Sequence, residues 1–353
     1  MTSRFDKIRN EHHMATSYEK PEAKDWAKEN LKGVCNVIIP SFKSDLSGLN
    51  EAGIRHDVRR NIELGFTGAL LVSEVGITRD EFRQFMEIAV DEADGRHQIL
   101  LHGAFDTPEA IIEVSKEAKS IGLDAVLLGH PNSFYPKTTQ DIIDYTTKIC
   151  DSVDLGVVLF CAQHWNFARV HPSGYPLDAI VELARLENVI GVKYEVGRPG
   201  ATGTYECFKA LQNSNVVVSD PFEPNAPIWT DLFGMQWMGT SNYEYYGDRM
   251  PRMFAALTEG RREEALDIYW QTQAARVTRG SVQATFEGAS FIHRYLWKYQ
   301  AWLNGYNGGP LRQPAMKLSD KAMRDTADGL VRSKILDVAP TDFSEYFKGR
   351  NPA

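Results

Sequence analysis

No stretch of this 353-residue chain reaches the ~18 consecutive apolar residues of a membrane-spanning helix, and its N-terminus carries no signal-peptide apolar core. A cytoplasmic protein without a membrane partner is expected. Cysteine is scarce: Cys35, Cys150, Cys161 and Cys207 are scattered, with no CxxC pair, so they read as reduced, buried thiols and a structural zinc site is not expected. Positive charge is in deficit, 39 Lys and Arg against 47 Asp and Glu, a formal net charge of −8. That argues against nucleic acid as a general partner and leaves room for a local cationic site that takes a carboxylate. No GxGxxG follows the first apolar run, which weakens a dinucleotide-binding reading. Solenoid repeats and low-complexity tracts are also missing.

What is present is a beat. Residues 1–33 are polar, with His12 and His13 and a helix-favouring stretch at 21–31, and read as an extension packed on the outside or partly mobile. From 34 to 248, short apolar runs at 35–40, 69–73, 98–104, 125–130, 156–162, 190–195, 216–220 and 236–241 alternate with amphipathic segments of helical length. Gly65, Gly122 and Gly234 fall where helices should end, and Thr107-Pro108 where one should begin. Eight strands with intervening helices predict an α/β fold, a (β/α)₈ barrel, rather than an open doubly wound sheet. Residues 249–353, with helical patterns at 251–275, 289–305 and 320–332, form a C-terminal helical appendage of the same domain.

In such a barrel chemistry sits at the C-terminal ends of the strands. The sixth run, Val189-Ile190-Gly191-Val192-Lys193-Tyr194-Glu195, ends in a lone lysine. Lys193 is either a salt-bridged structural residue or an amine in a dry pocket, poised to attack a carbonyl carbon. Glu195 shares its face by the period of two. It either pairs elsewhere or holds the lysine protonated. Other strand-end residues are Ser73, Glu74, His102, His130, Phe160, His164, Asp220, Ser241 and Asn242. His102 and His130, with Glu74 or Asp220, offer a metal-dependent hydrolase as the alternative, although the first strand lacks the His-x-His typical of such barrels. The aromatics Trp237, Tyr243, Tyr245 and Tyr246 read as core, with Tyr243 open to a substrate-facing role.

Several segments resemble the dihydrodipicolinate synthase/N-acetylneuraminate lyase family of class I, Schiff-base aldolase barrels. They are Val37-Ile38-Ile39-Pro40-Ser41-Phe42, Ile77-Thr78-Arg79-Asp80-Glu81-Phe82, the PNSFYPKT run at 131–138, Ile190-Gly191-Val192-Lys193 and Asn307-Gly308-Gly309-Pro310-Leu311-Arg312-Gln313-Pro314. The resemblance covers about 33 to 335. It implies a lyase or aldolase that uses no cofactor beyond a covalent imine on Lys193. The substrates would be a 2-oxo acid such as pyruvate and an aldehyde, turned over in a homo-oligomer, tetramer or dimer. Tyr135 matches a family tyrosine after strand four, and Arg312 would tie the appendage to the barrel.

Two departures stand out. The family's Gly-Thr-Thr-Gly-Glu carboxylate loop is here Val72-Ser73-Glu74-Val75-Gly76, and its strand-five tyrosine is Phe160, which moves no proton. Proton transfer then falls to Tyr135 or His164, and an acidic group to the backbone near Ser73 and to Arg169. The loop at 162–176, with His164, Trp165, Phe167, Arg169, His171 and Tyr175, suggests a bulkier, aromatic acceptor, as in the hydratase-aldolases of this family. A relative that binds ligand without turnover is the third reading.

Overall fold

The structure, a computed structural model, describes residues 17–196, 200–287 and 293–353. Eight parallel strands form the sheet: β1 Gly33–Ile38, β2 Gly68–Leu71, β3 Gln98–Gly103, β4 Ala125–Leu128, β5 Gly156–Ala162, β6 Val189–Glu195, β7 Val217–Ser219 and β8 Trp237–Gly239. From β1 to β7 each strand pairs with the next in sequence, and β8 returns to β1, as the alternating pattern predicts. Helices Glu51–Glu63, Arg79–Ala93, Pro108–Ile121, Thr139–Ser152, Leu177–Leu183, Ala201–Leu211 and Ala226–Phe233 fill the crossovers. Their boundaries follow local chemistry. Thr107 accepts the Ala110 N–H ahead of Pro108, and Gly122 ends that helix at φ +104°, a left-handed conformation that costs glycine no Cβ clash.

One seam is closed by a side chain. No ladder joins β7 to β8; instead the Ser219 hydroxyl donates to the Gly239 carbonyl and accepts its N–H, both at 3.1 Å. β7 stops there because Asp220 turns the chain, its carboxylate accepting the Phe222 N–H at 2.8 Å.

The segment at 18–31 and the C-terminal appendage cover opposite mouths. Tyr18 donates to the Asp124 carbonyl (2.6 Å) and accepts the Gly156 N–H (2.8 Å), while Gln98 and Gln236 donate to backbone carbonyls of residues 28–31. The helix Ala23–Asn30 thereby lies across the N-terminal mouth. At the other mouth the sequence pattern at 251–275 resolves into three helices, Arg249–Thr258, Arg262–Gln271 and Gln273–Glu287. The third runs well past the expected end. Arg294–Leu303 follows, the residues 289–292 of the expected element lying outside those described. His12 and His13 do as well.

Polar ties fix this appendage. Asn36 on β1 donates to Asn61 (2.8 Å), which also accepts the Tyr306 hydroxyl (2.6 Å). Buried Lys298 donates to the Pro40 carbonyl (2.5 Å). Arg312 forks onto Glu81 at 2.6 and 2.8 Å, the barrel tie expected of it. The four cysteines are buried and unpaired, and among the described residues no helix is long and apolar enough to cross a membrane.

Because one hydroxyl bridges the seam, Ser219→Ala should cost ~1–3 kcal/mol, the range for stranding buried backbone partners. Urea unfolding reads this directly; an unchanged midpoint would mean that the seam closes without Ser219.

Candidate active site

Parallel pairing sets Phe160 of β5, Lys193 of β6 and Ser219 of β7 side by side. Beyond them, at the C-terminal ends of the strands, a cavity of about 610 Å³ opens. Lys193 sits at its floor, 5% exposed, with Nζ 2.7 Å from Glu195 Oε2 and 4.0 Å from the centre of the Phe160 ring. Both open options for Glu195 are thereby resolved: it pairs with Lys193 itself. The ring supplies an apolar, cation-tolerant wall.

His164 lines the same cavity, in the 3₁₀ turn Gln163–Trp165 that follows β5, with its ring 5.2 Å from Phe160. Burial holds its pKa below the usual imidazole range; Glu195 pulls the other way and Lys193 adds to the lowering. His102 is more extreme, pushed down to about 3 by burial, with Lys193 and His164 contributing. Its Nδ1 faces the Ser73 hydroxyl at 3.2 Å. Both shifts favour the neutral imidazole.

Glu74 also lines the cavity but does not oppose an anion, because Arg294 from the appendage forms an ion pair with it. Ser241 lines the cavity, whereas Asn242 lies beneath it, fully buried, donating to Gln300 Oε1 (2.5 Å) and accepting from Arg279 (2.5 Å). Ser73 does not line the cavity; its hydroxyl is taken by His102 and the Ala104 carbonyl.

Two expected participants are elsewhere. Tyr135 is 67% exposed, and the Arg169 guanidinium stacks on its ring at 3.4 Å while donating to the Pro136 and Asn166 carbonyls. The cause is local: the loop closes on itself outside the barrel mouth, and neither side chain lines the cavity. The aromatic loop is likewise no open lid. Trp165, Phe167 and Tyr175 pack around His130 with Phe134 and Tyr145, and burial pushes His130 down to about 3. This cage and the Ser73 contact separate His130 from His102. Asp220 is spent on Trp229 Nε1 (2.6 Å) and Asn225 (2.9 Å). Among the described residues no three His, Cys, Asp or Glu side chains converge as metal ligands. Tyr243, fully buried, donates to the Pro221 carbonyl and faces no substrate space.

Residues that the sequence pattern passed over complete the cavity: Arg276, Arg279 and Arg294 from the appendage, and Glu223 after β7. No strand-end position marks the arginines, which is why a reading confined to strand ends missed them.

Residues 30–331 match the dihydrodipicolinate synthetase family. A 4-hydroxy-tetrahydrodipicolinate synthase of Methanopyrus kandleri is 30% identical over 173 residues, 47% of this chain and 55% of that protein, so this alignment spans about half the relative's length. The namesake enzyme of Methanosarcina barkeri is 26% identical over 312 residues, 87% of this chain and all of the relative. The crystal structure of N-acetylneuraminate lyase from Fusobacterium nucleatum superposes with a TM-score of 0.70 at 21% identity, covering 85% of this chain and 98% of that one, a likeness of fold.

The caged histidine has a consequence for acid stability. With a folded pKa near 3 against the usual 6.5, His130 stays neutral while the unfolded chain takes up a proton, so its contribution is complete above about pH 6.5 and is lost as pH falls toward 3. His130→Phe should shrink the loss of stability between about pH 7 and about pH 4.5 by ~1–3 kcal/mol, read from urea midpoints at the two pH values. An identical pH dependence in the variant would place the acid sensitivity elsewhere.

Proposed function

The chain belongs to the dihydrodipicolinate synthetase family, and from that premise we propose that it is a Schiff-base lyase or aldolase joining or splitting a 2-oxo acid such as pyruvate and an aldehyde. The observation that carries this reading is Lys193 Nζ at the cavity floor, 2.7 Å from a carboxylate and flanked by a phenyl ring. Glu195 takes a proton from the ammonium and leaves a free amine. Nζ adds to the ketone carbon, and the carbinolamine hydroxyl, protonated by Glu195, departs as water to leave an iminium. In the cleavage direction a base removes the β-hydroxyl proton, the carbon–carbon bond electrons flow into the iminium, and the aldehyde leaves. The enamine is then protonated on carbon, and hydrolysis frees the 2-oxo acid and Lys193.

His164 suits the hydroxyl proton, since it is neutral and lines the cavity. Phe160 holds the place of a proton-carrying tyrosine, so Glu195 and His164 divide that work. Arg294, rather than Arg169, lines the cavity beside Glu74 of the β2 loop and could steady the 2-oxo acid's carboxylate. The cavity volume supports an acceptor larger than a short aldehyde, including an aromatic one. Exposed Leu266 and Trp270 on the Arg262–Gln271 helix support a homo-oligomer, and buried, unpaired thiols support a reducing, cytoplasmic setting.

Borohydride added with pyruvate should leave a reduced pyruvyl adduct on wild type, seen by intact mass, and none on Lys193→Ala. Glu195→Gln should slow adduct formation roughly hundredfold, the scale of one general acid–base group. Equal labelling of wild type and Lys193→Ala would end the imine reading.

A further inference from the structure

The ionic groups of the cavity do not balance evenly. Lys193 has Glu195, and Arg294 has Glu74, each pair one cation to one carboxylate. Arg276 and Arg279, on the Gln273–Glu287 helix, share the single carboxylate of Glu223. Its oxygens stand 3.8 Å from Arg276 Nε and 3.5 Å from Arg279 Nη1, beyond the ~2.7–2.9 Å of a charge-assisted hydrogen bond. Glu223 Oε1 is meanwhile committed to the Tyr246 hydroxyl at 2.7 Å. The Nε atoms of both arginines are buried without a hydrogen-bond partner. Neutral groups orient the heads: Asn242 and Ser241 accept from Arg279, while the Tyr269 carbonyl, the Thr272 hydroxyl and Gln273 Oε1 accept from Arg276, which stacks on the Tyr269 ring. A buried guanidinium held mostly by neutral groups, with no close carboxylate of its own, carries a desolvation cost that an arriving anion relieves.

We propose that Arg276 and Arg279 form a second anion subsite, so that the carbonyl substrate carries a carboxylate at its far end as well as beside the ketone. Strand order sets the two ends apart. Glu223 and Ser241 follow β7 and β8, one and two strands from Lys193 on β6, whereas the β2 loop with Ser73 and Glu74 lies across the barrel. A ligand anchored at Lys193 therefore has its 2-oxo acid end toward β2 and its distal end toward the arginines. The surplus of one positive charge on that wall matches one carboxylate. This inference rests on the Schiff-base reading only for which end of the ligand meets Lys193.

The test compares ligands of equal chain length that differ in the terminal group: 2-oxoglutarate against 2-oxopentanoate, and 2-oxoadipate against 2-oxohexanoate. Calorimetric titration of wild type should show one dicarboxylate bound roughly tenfold or more tighter than its methyl-ended counterpart. In Arg279→Gln that ratio should fall toward one, and Arg276→Gln should repeat the effect if the first variant does not fold. No preference for the dicarboxylate in either pair overturns the proposal. So does a ratio that survives in both arginine variants. Borohydride trapping of the same ligands separates the two readings: a dicarboxylate preference without an adduct keeps the anion subsite and removes the imine, and an adduct without a preference does the reverse.

Discussion

A lysine inside a barrel must be met by an opposite charge, and here the strand itself supplies it two residues further on. Lys193 and Glu195 share a face of β6 because side chains alternate, and their 2.7 Å contact lets a cation sit 5% exposed at the cavity floor. The rest of the site is arranged around that pair. Phe160 packs against the ammonium, and the imidazoles of His102 and His164 are held neutral partly by its charge. On the proposed mechanism, the carboxylate in contact with the amine gives its proton an acceptor within hydrogen-bond reach.

The part of this arrangement that depends on local sequence was readable in advance. Eight apolar runs became eight parallel strands, Gly122 and Gly234 ended helices, and Lys193 and Glu195 fell on one face. Side-chain partners across the fold were not readable. Glu74 is partnered by Arg294, 220 residues away. The Gln273–Glu287 helix follows its predecessor after one residue, Thr272, so no break in the pattern announced it. Its arginines sit on a helix face, and periodicity says which face is buried without saying against what. Tyr135 shows the converse limit. A motif located its loop after β4, but only the fold shows the ring turned outward beneath Arg169.

The two strand-end histidines show how environment overrides residue type. His102 and His130 end adjacent strands, a spacing that suits a metal centre. His130 instead stacks on Phe134 at 5.3 Å and meets Trp165 and Phe167 edge-on, while His102 turns to Ser73. Such a cage uses the imidazole as a flat apolar filler, and it anchors the β5 loop from which His164 reaches the cavity. The same aromatic packing that removes His130 from chemistry thus positions the histidine that remains available to it.

On the proposed function, reaction and recognition are built by different parts of the chain. The barrel strands carry Lys193, Glu195 and Phe160, whose spacing is fixed by ladder hydrogen bonds. The appendage carries Arg276, Arg279 and Arg294, whose positions depend on a few buried polar ties: Asn242 to Gln300 and Arg279, Lys298 to Pro40, Tyr306 to Asn61 and Asn36. Each tie reaches a strand end or the helix just after it, so the roof is registered to the strands and not merely laid over them. Changes in the appendage can therefore alter which distal group is accepted while the Lys193–Glu195 pair stays intact. On that proposal the β2 loop, with Ser73 and Glu74 where the resembled family has a threonine pair, and the arginine wall of the roof face different ends of one ligand.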